Sequence, residues 1–132
     1  MNHLLSAEQL RLQDAAFEFA QHMPTDMVER DRTATFDGDG WKRCAEFGVL
    51  GMPIPQEYGG LGLGLSELLA VMEGLGRGMR DQGLLFSLNA HLWTNSIPIL
   101  RYGNESQKAR YLKPLCDGSL IGANAASEPD AG

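Results

Sequence analysis

The chain has 132 residues, 43% of them hydrophobic, and its 11 basic and 17 acidic side chains give a net charge of -6. This length allows one compact domain and is short for two. Because no run of Lys and Arg is present that could follow a phosphate backbone, we expect neither nucleic acid nor an anionic membrane as a partner.

The sequence also argues against a membrane span, a signal peptide, a disulfide and a metal site. No apolar stretch approaches the roughly 20 residues that span a bilayer, and the start of the chain lacks the basic and apolar regions of a signal peptide. We therefore expect a soluble, cytoplasmic protein. Cys44 and Cys116 lie far apart in helical patterns, so we expect both to be buried and reduced. Because His3, His22 and His91 show no ligand spacing, we predict no metal site.

The first half of the chain predicts short helices and a long loop. The first helix begins at Ser6, which can form a capping box with Gln9, and ends at Pro24. A short helix is predicted over 25–32, and the F-D-G-D-G segment after it predicts a turn. A third helix is expected with Asp39 as its N-cap and Gly48 as its closing glycine.

Residues 51–64 contain two prolines and five glycines and predict an irregular loop. Because these glycines do not form G-x-G-x-x-G and no G-K-[ST] follows, a tight turn explains them better than a nucleotide-binding loop. Ser66 is the predicted cap of the next helix. That helix is expected to stop among Gly74, Gly76 and Gly78, since each glycine costs about 1 kcal/mol relative to alanine.

The second half of the chain predicts two more helices and then a strand. A longer helix runs from Asp81 to Ile99, with a kink at Pro98. The last helix begins at Asn104, ends at Gly118, and is followed by L-I-G-A-N-A-A, which lacks a helical cap and predicts a strand. We therefore predict an all-α, orthogonal or up-down bundle of five to six helices in residues 1–118, followed by the first strand and turn of a β-domain in residues 119–132.

Two segments together resemble the acyl-CoA dehydrogenase family. The segment F-G-V-L-G-M-P-I-P-Q-E-Y-G-G-L-G-L is similar to the family's link between its early helices. The segment Y-G-N-E-S-Q-K-A-R-Y-L-K-P-L-C-D-G-S-L-I-G-A-N-A-A-S-E-P-D-A-G resembles its last N-domain helix and first flavin-binding strand. Their order and separation also match, and the resemblance extends from about Leu4 to Gly132.

The resemblance implies an oxidoreductase of fatty acid metabolism that contains FAD. The implied reaction is α,β-dehydrogenation of an acyl thioester, either acyl-CoA or an acyl group on a carrier protein, with an electron-transfer flavoprotein or oxygen as the electron acceptor. A homo-oligomer is also implied. The family's catalytic base lies beyond the last residue of this sequence, so we assign no catalytic residue. Glu57 and Glu128 are the local carboxylates, and each is explained by its turn motif.

The resemblance also assigns cofactor-binding positions, namely Asn124, Ala126, Ser127 and Gly132. Ser127, where the family usually has threonine, is expected to hydrogen-bond the flavin edge, with backbone groups of Asn124 and Ala126 beside it. Gly132 is expected to let the main chain approach the cofactor or the phosphate end of the thioester. Without the resemblance, Ser127 is explained as a turn hydroxyl that bonds its own backbone before Pro129.

The resemblance also implies an acyl pocket against the helices over 65–75 and 84–100. The candidate lining residues are Leu88, Leu92, Ser96 and Ile99, and interhelical packing is the alternative explanation for each of them. Two other functions stay open. One is a non-catalytic helical module or split subunit that pairs with a chain carrying the base, and the other is a related flavin monooxygenase or oxidase.

Overall fold

The computed structural model describes residues 5–130, in which helices account for the regular secondary structure. The helices are α1 (Ala7–Gln21), α2 (Met27–Arg32), α3 (Gly38–Phe47), α4 (Leu65–Gly78), α5 (Gln82–His91), α6 (Ile97–Tyr102) and α7 (Glu105–Cys116). A π-helical turn, Leu92–Ser96, joins α5 to α6 in one continuous rod. The described residues therefore form six helical rods, which confirms the predicted all-α bundle.

Local capping fixes the starts of α1 and α7. At α1, Ser6 Oγ accepts a hydrogen bond from the Gln9 N–H at 3.2 Å, and Gln9 Oε1 accepts one from the Ser6 N–H at 2.9 Å. Asn104 and Gln107 form the same reciprocal pair at α7, with both distances 2.9 Å. Both starts were predicted, because a capping box uses side chains only three residues apart.

The predicted start of α3 is wrong by two residues. Asp37, not Asp39, is the N-cap, and its Oδ1 accepts a hydrogen bond from the Gly40 N–H at 2.8 Å. Part of the F-D-G-D-G segment is therefore helix. A tertiary contact selects Asp37, because its carboxylate also lies 3.2 Å from Arg30 Nη2. The other end is as predicted, since Gly48 closes α3 with a φ of 93°.

The start of α4 differs from the prediction, and packing against α1 explains why α4 tolerates glycines near its end. Gly64 occupies the N-cap position and Ser66 lies inside the helix, so the predicted serine cap is wrong. The helix continues through Gly74 and Gly76 and ends at Gly78. A Cβ at Gly74 would lie 2.2 Å from the Gln13 carbonyl oxygen of α1. Glycine lowers the helix propensity of α4, but here it allows the backbones of α1 and α4 to pack against each other.

The glycine-rich loop is ordered by its own backbone hydrogen bonds. The Leu61 N–H donates to the Gly51 carbonyl at 2.9 Å, and the Gly62 N–H donates to the Ile54 carbonyl at 2.8 Å. A Cβ at Gly60 would lie 2.0 Å from the Ile54 carbonyl oxygen, so only glycine fits there. These glycines close a turn, as the sequence predicted.

The buried side chains form a main cluster and a smaller one. The main cluster draws on α1, α3, α4 and α5, and the smaller one consists of Ile54, Leu112 and Cys116. Cys44 and Cys116 are free and buried, as predicted. Burial raises the pKa of the Cys44 thiol to about 12 and that of the Cys116 thiol to about 11, so both stay protonated near neutral pH. Within the described residues, no helix has both the length and the apolar character to cross a membrane.

Candidate functional site

The four predicted acyl-pocket residues lie along the rod of α5, the π-turn and α6, and most of them are enclosed. Leu88 and Leu92 have no exposed surface and belong to the main cluster, and Ser96 is also fully buried. Ile99 is half-buried against the smaller cluster. In this chain these side chains pack between helices, so their role in an acyl pocket stays a prediction.

The π-turn lies one turn before the position where the sequence predicts a kink. The Ile97 N–H donates to the Leu92 carbonyl, five residues back, which widens the helix at this point. Pro98 explains the change, because it donates no backbone hydrogen bond and its ring crowds the carbonyl of Thr94. Ser96 Oγ is the only buried side-chain nitrogen or oxygen of residues 5–130 without a hydrogen-bond partner.

The rod of α5 and the π-turn carries exposed aromatic side chains. Phe86 is 75% exposed and Trp93 is 37% exposed, and their spacing of seven residues places them on one side of the rod. The indole N–H of Trp93 donates to Asn89 Oδ1 at 3.0 Å, which fixes the ring on this face. We call Phe86, Asn89 and Trp93 the outer face. Phe86 was missed because helical spacing shows which residues share a side, and not which side is buried.

Exposed leucines lie on the neighbouring helix. Leu65 and Leu69 of α4 are 61% and 53% exposed, and one turn of helix separates them. The opposite side of α4 packs against α1 through Gly74 and Gly78. Contiguous apolar patches that stay in solvent are typical of surfaces that bind a ligand or another part of a protein.

The segment after α7 does not form the predicted strand. Residues 121–127 have neither helical nor sheet hydrogen bonding in the described structure. A strand needs a partner to receive its backbone donors and acceptors, and no part of residues 5–130 supplies one. The assignment of residues 119–132 to a β-domain stays a prediction.

Asn124, Ala126 and Ser127 lie in this segment, and all three are exposed. Within residues 5–130 no hydrogen bond is described for them, so the Ser127 hydroxyl shows no bond to its own turn. Gly132 lies outside the described residues. The structure therefore brings three of the four predicted cofactor residues together on an open surface.

His91 and Trp41 hold the beginning of the same segment. His91 is fully buried at the end of α5. Its Nε2 lies 3.0 Å from the Leu115 carbonyl oxygen, and its Nδ1 accepts a hydrogen bond from the Gly122 N–H at 3.1 Å. The indole N–H of Trp41 donates to the Gly118 carbonyl at 3.2 Å. Because a carbonyl accepts and an N–H donates, the proton of neutral His91 lies on Nε2.

The two carboxylates considered in the sequence analysis lie outside the long helices. Glu57 lies in the short 3-10 turn Gln56–Tyr58 and Glu128 in the open segment after α7, and both are exposed. In residues 5–130 no three His, Cys, Asp or Glu side chains are grouped so that they could hold a metal ion.

A cleft of about 590 Å³ lies between α2 and the start of α5, away from the predicted site residues. Arg30 borders it, bonded to Asp26 and lying 2.5 Å from Asp81 Oδ2. Asp81 caps α5 by accepting a hydrogen bond from the Leu84 N–H at 2.9 Å. Since Asp37 also contacts Arg30, this guanidinium ties the N-caps of α3 and α5 together, and we assign the cluster a structural role.

Comparison with known proteins identifies the family. A family model described as the acyl-CoA dehydrogenase N-terminal domain matches residues 6–119. The chain belongs to the acyl-CoA dehydrogenase family. The resemblance of the two sequence segments is thereby confirmed, and the helices α1–α7 all lie inside the matched range.

Within the acyl-CoA dehydrogenase family the chain is similar to proteins with different acyl carriers. It is 39% identical over 133 residues to the L-prolyl-[peptidyl-carrier protein] dehydrogenase of Serratia sp., which covers 100% of this chain and 34% of that relative. It is 40% identical over 131 residues to the mitochondrial isovaleryl-CoA dehydrogenase of Pongo abelii, which covers 97% of this chain and 30% of that relative. The chain thus spans about a third of the length of these curated relatives.

Solved structures of acyl-CoA dehydrogenase relatives have the same helical arrangement. The prolyl acyl carrier protein oxidase AnaB matches with a TM-score of 0.92 and 40% identity, over 97% of this chain and 34% of that chain. PigA with FAD and proline matches with a TM-score of 0.90 and 39% identity, over 100% of this chain and 35% of that chain.

Proposed function

We propose that the complete gene product is an FAD-dependent dehydrogenase that removes hydrogen from an acyl thioester, and that these helices form one wall of its acyl-binding cleft. The observation that carries this proposal is the match of residues 6–119 to the family's N-terminal domain. Similarity to PigA, which was solved with FAD and proline, and to thioester dehydrogenases supports it.

The residues proposed for FAD fit a flavin edge in their chemistry. Asn124 and Ser127 offer an amide and a hydroxyl, and Ala126 between them adds little bulk. All three are exposed, so their polar groups are accessible to a cofactor. FAD, when bound, accepts the hydride that leaves the β-carbon of the acyl group. The proposed part of this chain is to bind and orient the ring, with Gly132 beside it.

The acyl group is proposed to lie against the rod of α5 and α6. The outer face offers Phe86 and Trp93 directly to a ligand, whereas Leu88, Leu92, Ser96 and Ile99 support it from inside the bundle. Aromatic rings bury large apolar areas, so this face suits an uncharged acyl chain or ring. The proposed wall therefore has two layers. The inner layer packs inside the bundle, and the outer layer contacts the acyl group.

A dehydrogenase of this kind needs a base within about 3 Å of the proton next to the carbonyl. Glu57 lies in a short 3-10 turn and Glu128 in the segment after α7, and both are exposed, so we propose neither as that base. We propose that the base lies outside these 132 residues. An electron-transfer flavoprotein or oxygen is the proposed electron acceptor, and a homo-oligomer is the proposed complete assembly.

We propose an acyl thioester as the substrate class, with either CoA or a carrier protein as the group that carries the acyl chain. The chain is 39% identical to a peptidyl-carrier-protein dehydrogenase and 40% identical to a CoA dehydrogenase, so identity does not separate the two. The test uses the complete gene product, purified and mixed without oxygen with prolyl-carrier protein or with isovaleryl-CoA. We expect bound flavin and bleaching of its visible absorbance by one of the two thioesters. Absence of flavin, or of any thioester-dependent bleaching, would contradict the proposed function.

The outer face has a separate test in the same assay. Phe86→Ala is expected to raise KM for the reactive thioester about tenfold, because about 1.4 kcal/mol of apolar contact is lost. Tyr102→Ala is the matched control, since this ring is 89% exposed at the far end of the same rod. Equal KM values for the two variants would remove Phe86 from the proposed wall.

A further inference from the structure

The chain leaves α7 along a narrow path that two buried aromatic rings define. The rings of Trp41 and His91 meet edge to face, with centroids 5.1 Å apart and an interplanar angle of 77°. Trp41 holds the Gly118 carbonyl and His91 holds the Gly122 N–H. The backbone is therefore fixed at two points on either side of residues 119–121.

The same path excludes side chains at both fixed points. Gly118 has a φ of 76°, and a Cβ there would lie 2.9 Å from the Ala45 Cβ. A Cβ at Gly122 would lie 2.6 Å from Asn95 Cγ, in the π-turn. Glycine at both positions lets the backbone lie directly against α3 and the rod. Between them, the Leu120 N–H donates to the Pro114 carbonyl at 2.9 Å.

Unlike Trp41, His91 hydrogen-bonds two parts of the chain, the end of α7 and the segment that follows it. Its Nε2–H donates to the Leu115 carbonyl at the end of α7, and its Nδ1 accepts from Gly122 beyond the helix. Each ring nitrogen thus has one partner, and a buried polar atom that loses its partner costs about 1–3 kcal/mol. The Nδ1 bond holds Gly122, the residue directly before the exposed residues 123–130.

We propose that His91 is a positioning residue that directs the segment 119–127 so that Asn124, Ala126 and Ser127 reach the flavin. The inference rests on the proposed FAD role of those three residues. His91 touches neither the substrate nor the flavin in this assignment. It acts through the Gly122 N–H, which lies two residues before Asn124.

Two substitutions separate the two bonds of His91. In His91→Asn the amide oxygen is attached to Cγ, as Nδ1 is, so it can still accept from Gly122, while the bond to Leu115 is lost. In His91→Gln the terminal amide lies one bond further out, near the place of Nε2, so it can still donate to Leu115, while the bond to Gly122 is lost. Both variants give up one buried bond, so their losses of stability are matched.

The experiment compares FAD affinity, thermal unfolding and amide hydrogen exchange in the complete gene product. We expect His91→Gln to weaken FAD binding about tenfold and to speed exchange of the Gly122 amide at least tenfold. His91→Asn is expected to keep the FAD affinity and the Gly122 exchange rate within about threefold of the unsubstituted protein. Its melting temperature is nevertheless expected to fall as much as that of His91→Gln. A role limited to stability would instead change FAD affinity equally in both variants.

The outcomes separate this inference from the proposed function. If the unsubstituted protein binds no FAD, the proposed function is wrong, and the Gly122 exchange rates still decide whether His91 holds the segment. Equal exchange of Gly122 in the unsubstituted protein and in His91→Gln would overturn the positioning role. So would equal FAD affinities in the two variants. Met23→Ala, a change at a buried core residue just after α1, controls for general loosening of the bundle.

Discussion

The contact between α1 and α4 and the segment after α7 differ most in how closely their backbones are packed. Where α1 meets α4, glycine lets two backbones touch, as the 2.2 Å from a Gly74 Cβ to the Gln13 carbonyl shows. Residues 123–130 are exposed along their whole length. The helices are thus ordered by their contacts with each other. In the described residues, the segment with the proposed cofactor residues is held by hydrogen bonds at its start, over 118–122.

The largest effect is expected from filling the α1 and α4 contact. Gly74→Ala forces a methyl group against the Gln13 backbone. Because the backbone itself would have to move, we expect a cost of about 3 kcal/mol, which exceeds the gain of about 1 kcal/mol in helix propensity. We expect its urea midpoint to fall. Gly76→Ala is the matched control, because its Cβ would meet only Leu85 Cδ2, at 3.7 Å. This variant is expected to gain up to about 1 kcal/mol, and equal shifts in the two variants would mean that α1 does not approach α4 this closely.

These glycines show why the fold could be predicted only in part. The capping boxes at Ser6 and Asn104 were predictable because all their atoms come from residues three apart. The continuation of α4 through Gly74 was not, since the compensating contact comes from Gln13, about sixty residues earlier in the chain. Asp37 was missed as a cap for the same reason, because Arg30 holds it through tertiary structure.

The candidate site was predictable to a smaller extent. Spacing places Leu88, Leu92 and Ile99 on a helix, and it does not show that Leu88 and Leu92 face inward while Phe86 faces solvent. The π-turn also shifts the phase of the helix before Ile99, which no propensity records. His91 looked like an isolated histidine, since its partners Leu115 and Gly122 come from the other end of the chain.

A smaller effect is expected where the helical body meets the exposed segment. Trp41→Phe removes the bond to the Gly118 carbonyl and leaves a gap in the core, so we expect a loss of about 1–1.5 kcal/mol in the free energy of unfolding. Cleavage within 119–130 by a protease of broad specificity should be faster. Trp93→Phe is the control, because that indole bonds Asn89 on its own helix. Equal cleavage rates in both variants would show that Trp41 does not restrain the segment.

The pH dependence of stability tests the same junction through His91. Burial lowers the pKa of His91, although the hydrogen bond to the Leu115 carbonyl opposes this. Below about pH 6.5 the unfolded chain therefore binds a proton that folded His91 does not, so the free energy of unfolding decreases as pH falls. Cys116, beside Leu115, stays neutral because burial raises its pKa to about 11. His91→Gln should flatten the urea midpoint between pH 7 and 5, and an unchanged slope would assign the effect to another group.

The smallest effect is expected at Ser96, on the rod between the two regions. Its buried hydroxyl has no hydrogen-bond partner among residues 5–130, so Ser96→Ala removes an unsatisfied polar group and introduces a better helix former. We expect the free energy of unfolding to rise by about 0.5–1 kcal/mol in thermal and urea unfolding. A loss of more than 1 kcal/mol would mean that the hydroxyl is bonded after all.

Ser96 also separates packing from the predicted pocket role, because the two make different demands on the same atom. If the hydroxyl only fills space, Ser96→Ala leaves KM and kcat of the complete gene product unchanged. If it contacts the acyl group from inside the wall, KM changes while stability still rises, since the hydroxyl gains its partner only when substrate is bound. Ser96→Val, which adds bulk at a fully buried position, should lower stability in both cases and so shows that the site is packed.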